Sequence, residues 1–138
     1  MDALVTRSGK GSPLTNAEID GNMDKLATSK VETRSVTIEN PSYDEDITLF
    51  YTTKALTVLS VRAVVKGSSP SITYSIKSAS DRSAGSPTVN VNAEVVTNTT
   101  TGANATLANA NIAANTWVWL TTSAKSGTVT SLNITFAF

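Results

Sequence analysis

Two hydrophobic periodicities divide the chain. Near the amino end, Ile19, Met23 and Leu26 recur at i, i+4 and i+7, one face of a helix. Thr15 stands just before that stripe and Glu18 three residues after it. This is capping-box spacing, in which each side chain accepts from the other's backbone N–H. Leu14, ahead of the cap, is placed to staple onto Ile19. The pattern predicts a helix over residues 16–28, weakened at Gly21 by about 1 kcal/mol relative to alanine. The preceding stretch, RSGKGSP, is too rich in glycine and serine to predict a regular element.

From Val31 onward the period is two. Ile72, Tyr74 and Ile76 alternate with Thr73, Ser75 and Lys77, and Leu132, Ile134, Phe136 and Phe138 share one face. Strands are expected at 33–38, 46–52, 55–66, 71–77, 88–96, 105–112, 116–122 and 128–138. Turn-forming runs punctuate them, such as Asn40-Pro41-Ser42, Gly67-Ser68-Ser69-Pro70 and Ser126-Gly127. That spacing predicts a mainly β protein, an antiparallel β-sandwich of jelly-roll-like type carrying a short N-terminal arm and helix. Residues 1–30 are assigned to the arm and 31–138 to the sandwich.

A helix of this length is marginal in water without a packing partner. Its three large apolar side chains would each contribute about 1.5–3 kcal/mol on full burial. The segment is therefore expected to act as an anchor, with Pro13, Leu14, Ile19, Met23 and Leu26 making the contact.

Composition narrows the chemistry. The chain holds no cysteine and no histidine among its 138 residues. Disulfides, thiolate or imidazole metal sites and Ser-His-Asp triads are thereby excluded. Acidic and basic residues balance at 11 each, so no global field favours nucleic acid. The arm's Arg7, Lys10, Lys25 and Lys30 are offset by Asp2, Glu18, Asp20 and Asp24. No apolar run approaches the roughly 18 residues of a membrane span, and the first residues lack an apolar core of signal-peptide length. Beyond Ser83 only Glu94 and Lys125 are charged, which leaves too few carboxylates for a glycosidase pair. The expectation is a protein without enzymatic activity, cofactor or metal.

Three features invite a sharper reading. Asp44, Glu45 and Asp46 form an acidic cluster without the spaced ligands of a calcium loop, and read as a solvated turn. Asp81-Arg82 reads as a surface ion pair or a subunit contact. Trp117 and Trp119 share one face of a strand whose other face, Val118 and Leu120, is also apolar. Such rings fill a core, anchor a subunit interface, or stack against sugar. Core or interface is the first reading for Trp117, Trp119, Phe136 and Phe138, with carbohydrate contact the second for the two tryptophans.

The segment LVTRSGKGSPLTNAEIDGNMDKL resembles the N-terminal part of tailed-bacteriophage virion structural proteins, tail-fibre-like proteins included. The shared core is K-G-x-P-L-T-x-A-E-x-D-x-N, carried here by Lys10, Gly11, Pro13, Leu14, Thr15, Ala17, Glu18, Asp20 and Asn22. ASDRSAGSPTV and the last 28 residues, from Asn111, are similar to the C-terminal β-module of phage fibre and surface proteins. The resemblance implies an amino end anchored to the particle and an outward β-module, often a homotrimer. With no repetitive shaft and no heptads, the chain is expected to be a capsid decoration or cement protein. It would be made in the bacterial cytoplasm and carried on the virion surface, with copies of itself and the major capsid protein as partners, but neither nucleic acid nor membrane. The alternative is a short tail fibre or receptor-binding appendage contacting host glycans.

Overall fold

The computed structural model describes residues 3–28 and 30–138. Asp2, counted above among the acids of the arm, lies outside the described residues. The chain divides into two compact units, Met1–Glu32 and Thr33–Phe138.

The first unit holds two helices, α1 (Arg7–Lys10) and α2 (Asn16–Thr28). The bounds of α2 coincide with those expected from the capping box and the apolar stripe. The turn of helix at α1 was not expected. Thr6 caps it by accepting from the Gly9 N–H at 3.1 Å, and Gly11 closes it in the left-handed region at φ 72°. Both ends are thus satisfied locally, which lets four residues hold a turn that periodicity does not reveal.

The second unit is mainly β and antiparallel. Its strands are β1 (Thr33–Glu39), β2 (Asp46–Thr52), β3 (Leu56–Thr57), β4 (Ser60–Ala79), β5 (Thr88–Val96), β6 (Ala103–Asn104), β7 (Asn111–Ile112) and β8 (Thr116–Ala137). The spine is β4 against β8, paired from Ser60↔Ala137 to Ala79↔Trp117. Near one end β1 flanks β8 and β6 flanks β4. Near the other, β2 flanks β8 and β5 flanks β4. Two four-stranded halves therefore share the same two long strands.

The halves meet at a bend. The turn signals expected at 67–70 and 126–127 do not break the strands. They shift the β4–β8 register between Lys66 and Gly67 and again between Ser68 and Ser71. Gly67 and Gly127 sit there at φ 146° and 66°. A Cβ on Gly67 would run into the Thr128 carbonyl, and one on Gly127 into the Ser69 carbonyl. The extra residues also flip the inward parity of β4, from Val61, Ala63 and Val65 to Ile72, Tyr74 and Ile76.

The bend doubles the sheet over. Phe50 of β2 pairs with Val118, and Phe136 lies eighteen residues further along β8. A straight strand would separate Val118 and Phe136 by about 60 Å. Instead the rings of Phe50 and Phe136 lie edge to face, 5.5 Å between centroids. The inner faces of both halves thus pack into one core containing Val65, Ile76, Leu120, Leu132 and Phe136. Phe138 is half-buried at its margin, stacked parallel to Phe136, while the Arg34 guanidinium lies 4.6 Å from the Phe50 ring centre. The terminal Phe-Ala-Phe strand is not an edge, because β8 is paired on both sides.

A strand was expected across 105–112, yet only β7 pairs regularly there, and β6 ends just before it at Asn104. Between them the chain passes from one half to the other. Ala105 N–H donates to Val61 and Ala108 N–H to Asn90. The buried Asn90 amide donates to the carbonyls of Asn109 and Asn111, so a side chain replaces the ladder.

Candidate functional site

In the N-terminal unit, short polar contacts connect residues of the segment 10–22. Thr15 and Glu18 form the capping box: Thr15 N–H donates to Glu18 Oε2 at 2.8 Å, and Glu18 N–H to Thr15 Oγ1 at 3.2 Å. Lys10 Nζ reaches the same carboxylate oxygen at 2.5 Å. The Lys10 ammonium and the Thr15 N–H together hold the Glu18 carboxyl down to a pKa of about 2. Asn22 exchanges two hydrogen bonds with the backbone of Val5, at 2.9 and 2.8 Å, and Lys25 donates to the Ala3 carbonyl. Lys10, Gly11, Thr15, Glu18 and Asn22 thus fold the arm onto itself.

What the arm does not do is bury its stripe. No residue of α2 is buried, and Ile19, Met23 and Leu26 expose 45%, 64% and 53% of their surfaces. Pro13 is exposed and Leu14 half-buried. Covering what the three helical side chains still show would contribute about 2–5 kcal/mol.

In the β unit, the tryptophans lie outside the inner-face core cluster, although Trp119 is buried. Trp117 and Trp119 project from the outer face of β8, while Val118 and Leu120 take the inner face. Both faces of this strand are apolar as expected, but the outer one is covered only in part. Arg82 reaches back from the turn after β4. Its guanidinium lies 4.5 Å from the Trp119 ring centre, pairs with Asp46 at 2.6 Å and donates to Thr48 Oγ1 at 2.9 Å. Trp119 is left 4% exposed beneath it. Trp117 remains 37% exposed beside Tyr51, itself 41% exposed, with ring centroids 4.8 Å apart. Tyr74 is fully buried in the core, its hydroxyl without a hydrogen-bond partner, and burial raises its pKa.

Other expectations resolve differently. Arg82 pairs with Asp46 rather than with its neighbour Asp81, which instead accepts from the Ser83 N–H and hydroxyl and has its pKa lowered by them. Ser42 donates to Asp44 and Glu45, so these acids brace the turn before β2. Tyr51 and Arg82 were not assigned to the aromatic face from the sequence. Strict alternation puts Tyr51 inward with Ile47 and Leu49. A bulge between Thr48 and Phe50 reverses it, turning Phe50 in and Tyr51 out.

A separate groove of about 690 Å³ lies beside β3 and β7, lined by small uncharged residues such as Ser78, Ser86, Thr88, Asn111 and Ala114. Ser78 donates to Asn90 within the protein, so its hydroxyl serves the fold. Among the described residues no helix is long and apolar enough to cross a membrane. No family model, curated protein or solved structure matches the chain.

Proposed function

We propose that the chain is a non-enzymatic structural protein of a tailed-phage virion, a capsid decoration protein. The arm fastens it to the major capsid protein, and the β unit associates with copies of itself as a homotrimer. One observation carries the reading: α2 is well capped and braced, yet none of its residues is buried and its apolar stripe stays about half exposed. A helix stabilised by its own polar contacts, with an exposed Ile-Met-Leu stripe, is suited to landing on another protein. The resemblance of residues 10–22 to virion proteins supports the same reading. Three arms on one trimer would multiply a weak single contact.

The test is cosedimentation of the full chain with shells assembled from the phage's own major capsid protein. Ile19→Asp with Met23→Asp removes the apolar contact and leaves Thr15, Glu18 and Asn22 in place. Shell binding is expected to fall by at least tenfold, with the wild-type protein sedimenting as a trimer. Unchanged binding by the double variant, or a wild-type monomer that ignores shells, overturns the proposal.

Exposure of Trp117 and Tyr51 favours a second reading, a short fibre or receptor-binding appendage that contacts host glycans. Retention of the full chain on a glycan array supports it, and an array without hits dismisses it.

A further inference from the structure

We infer that the outer face around Tyr51 and Trp117 is a binding shelf for an acidic saccharide, with one sugar ring against the indole and its anionic group at Lys77. The inference rests on the second reading above and gives it a ligand class and a location. Tyr51 and Trp117 are a cross-strand pair whose ring planes meet at 56°. They open as a shallow V instead of stacking flat. On the other flank of Trp117 the register places Ala79, a methyl group that leaves the indole uncovered. One row along, Lys77 stands opposite Trp119 on the same face.

Size argues against a protein partner on this shelf. Aromatic side chains carry about 150–250 Å² each. At 37% and 41% exposure the two rings offer roughly 120–200 Å² of contact by that measure. A stable protein interface needs about 800 Å² from each side, and the next row along the face holds Thr48 and Lys77, which are polar, on either side of the covered Trp119. A pyranose fits better: its C–H face lies on an aromatic ring, and its hydroxyls meet a polar rim.

Charge selects among sugars. Arg82 is neutralised by Asp46. Lys77 has no ion pair among the described residues, so the shelf carries an unpaired positive charge one row from its exposed ring, at the position diagonal to Trp117. A carboxylate or phosphate on the saccharide would meet it.

The experiment uses the full chain on an array of neutral and acidic bacterial-surface saccharides, the acids carrying either uronate or phosphate groups. Retention of at least one acidic saccharide is expected, with the retained set naming the anionic group. Trp117→Ala should weaken that binding at least tenfold. Lys77→Gln should remove the preference for the acid over its neutral counterpart. Circular dichroism of both variants checks that the sheet is intact, and Tyr51→Ala provides an independent loss if either misfolds. Glycan binding that survives Trp117→Ala and Lys77→Gln overturns the shelf and leaves the receptor-binding reading standing. A preference for neutral sugars overturns it likewise, and no binding at all overturns both.

Discussion

In the β unit Val65, Ile72, Val118, Leu120, Ile134 and Phe136 are wholly withdrawn from water, whereas the arm's helix buries nothing. The contrast extends to the bonds. The β unit is held by pairings between distant strands, such as Val61 with Phe136 and Thr33 with Ala137. In the arm the contacts are polar and stay within one stretch of chain, Thr15 to Glu18, Lys10 to Glu18 and Asn22 to Val5 among them. Apolar burial is the larger driving force in water, so the β unit is internally satisfied. The arm has its shape set by hydrogen bonds, and the apolar stripe of its helix is still largely exposed. The outer aromatic face repeats the contrast on a smaller scale, with Trp119 covered by Arg82 and Trp117 left open.

Substitutions can break this contrast, beginning with the largest effect. Phe136→Ala empties the place where the doubled sheet closes, and is expected to cost about 3–5 kcal/mol. Urea unfolding followed by tryptophan fluorescence measures it, and a loss below about 1 kcal/mol would show that the halves do not share a core. Arg82→Ala should cost about 1–2 kcal/mol from the lost stacking and ion pair. It should also move Trp119 emission to longer wavelength and admit acrylamide to the ring. Unchanged quenching would mean that something other than Arg82 covers Trp119.

Three further variants sharpen the comparison. Thr15→Ala should cost the arm about 1 kcal/mol of helix stability, seen as lost amide protection in α2 while protection in β4 and β8 is unchanged. Acid gives the same result without mutation. Glu18 has a folded-state value near 2, below the usual unfolded value of about 4.3. Its contribution is therefore complete above about pH 4.3 and lost as pH falls toward 2, and Glu18→Gln should abolish that step in the α2 signals. Tyr74→Phe should have the smallest effect at neutral pH, since it deletes a hydroxyl that has no partner. The folded-state pKa is raised, so burial of the neutral phenol costs stability once the unfolded tyrosine ionises, above about pH 10. The phenylalanine variant should lose less stability than wild type between about pH 10 and 12, as read by thermal melts.

Much of this was legible in the residues. The bounds of α2 follow from Thr15, Glu18 and three apolar positions, all within one stretch of chain. β2 and β5 were expected with the bounds they have, and the inward set Ile72, Tyr74, Ile76 was correct, because alternation is a property of each strand alone. The aromatic face was less legible. Trp117 and Trp119 were singled out together, but their different exposures depend on Arg82, more than thirty residues away, and on a one-residue bulge in β2. Four expected strands became two long ones, because a turn signal does not say whether the chain reverses or merely bends.

The amino-acid sequence by itself determined the elements whose causes are local: the capped helix, the period-two faces and the positions where the backbone must leave a regular path. Only the tertiary structure decided that β4 and β8 run through their bend and bring Phe50 onto Phe136, and that one tryptophan is roofed while its neighbour is open. Hydrogen bonds three or four residues apart can be read from a short window. A register shift at Gly67 is resolved only by the strand it meets at Thr128, some sixty residues later.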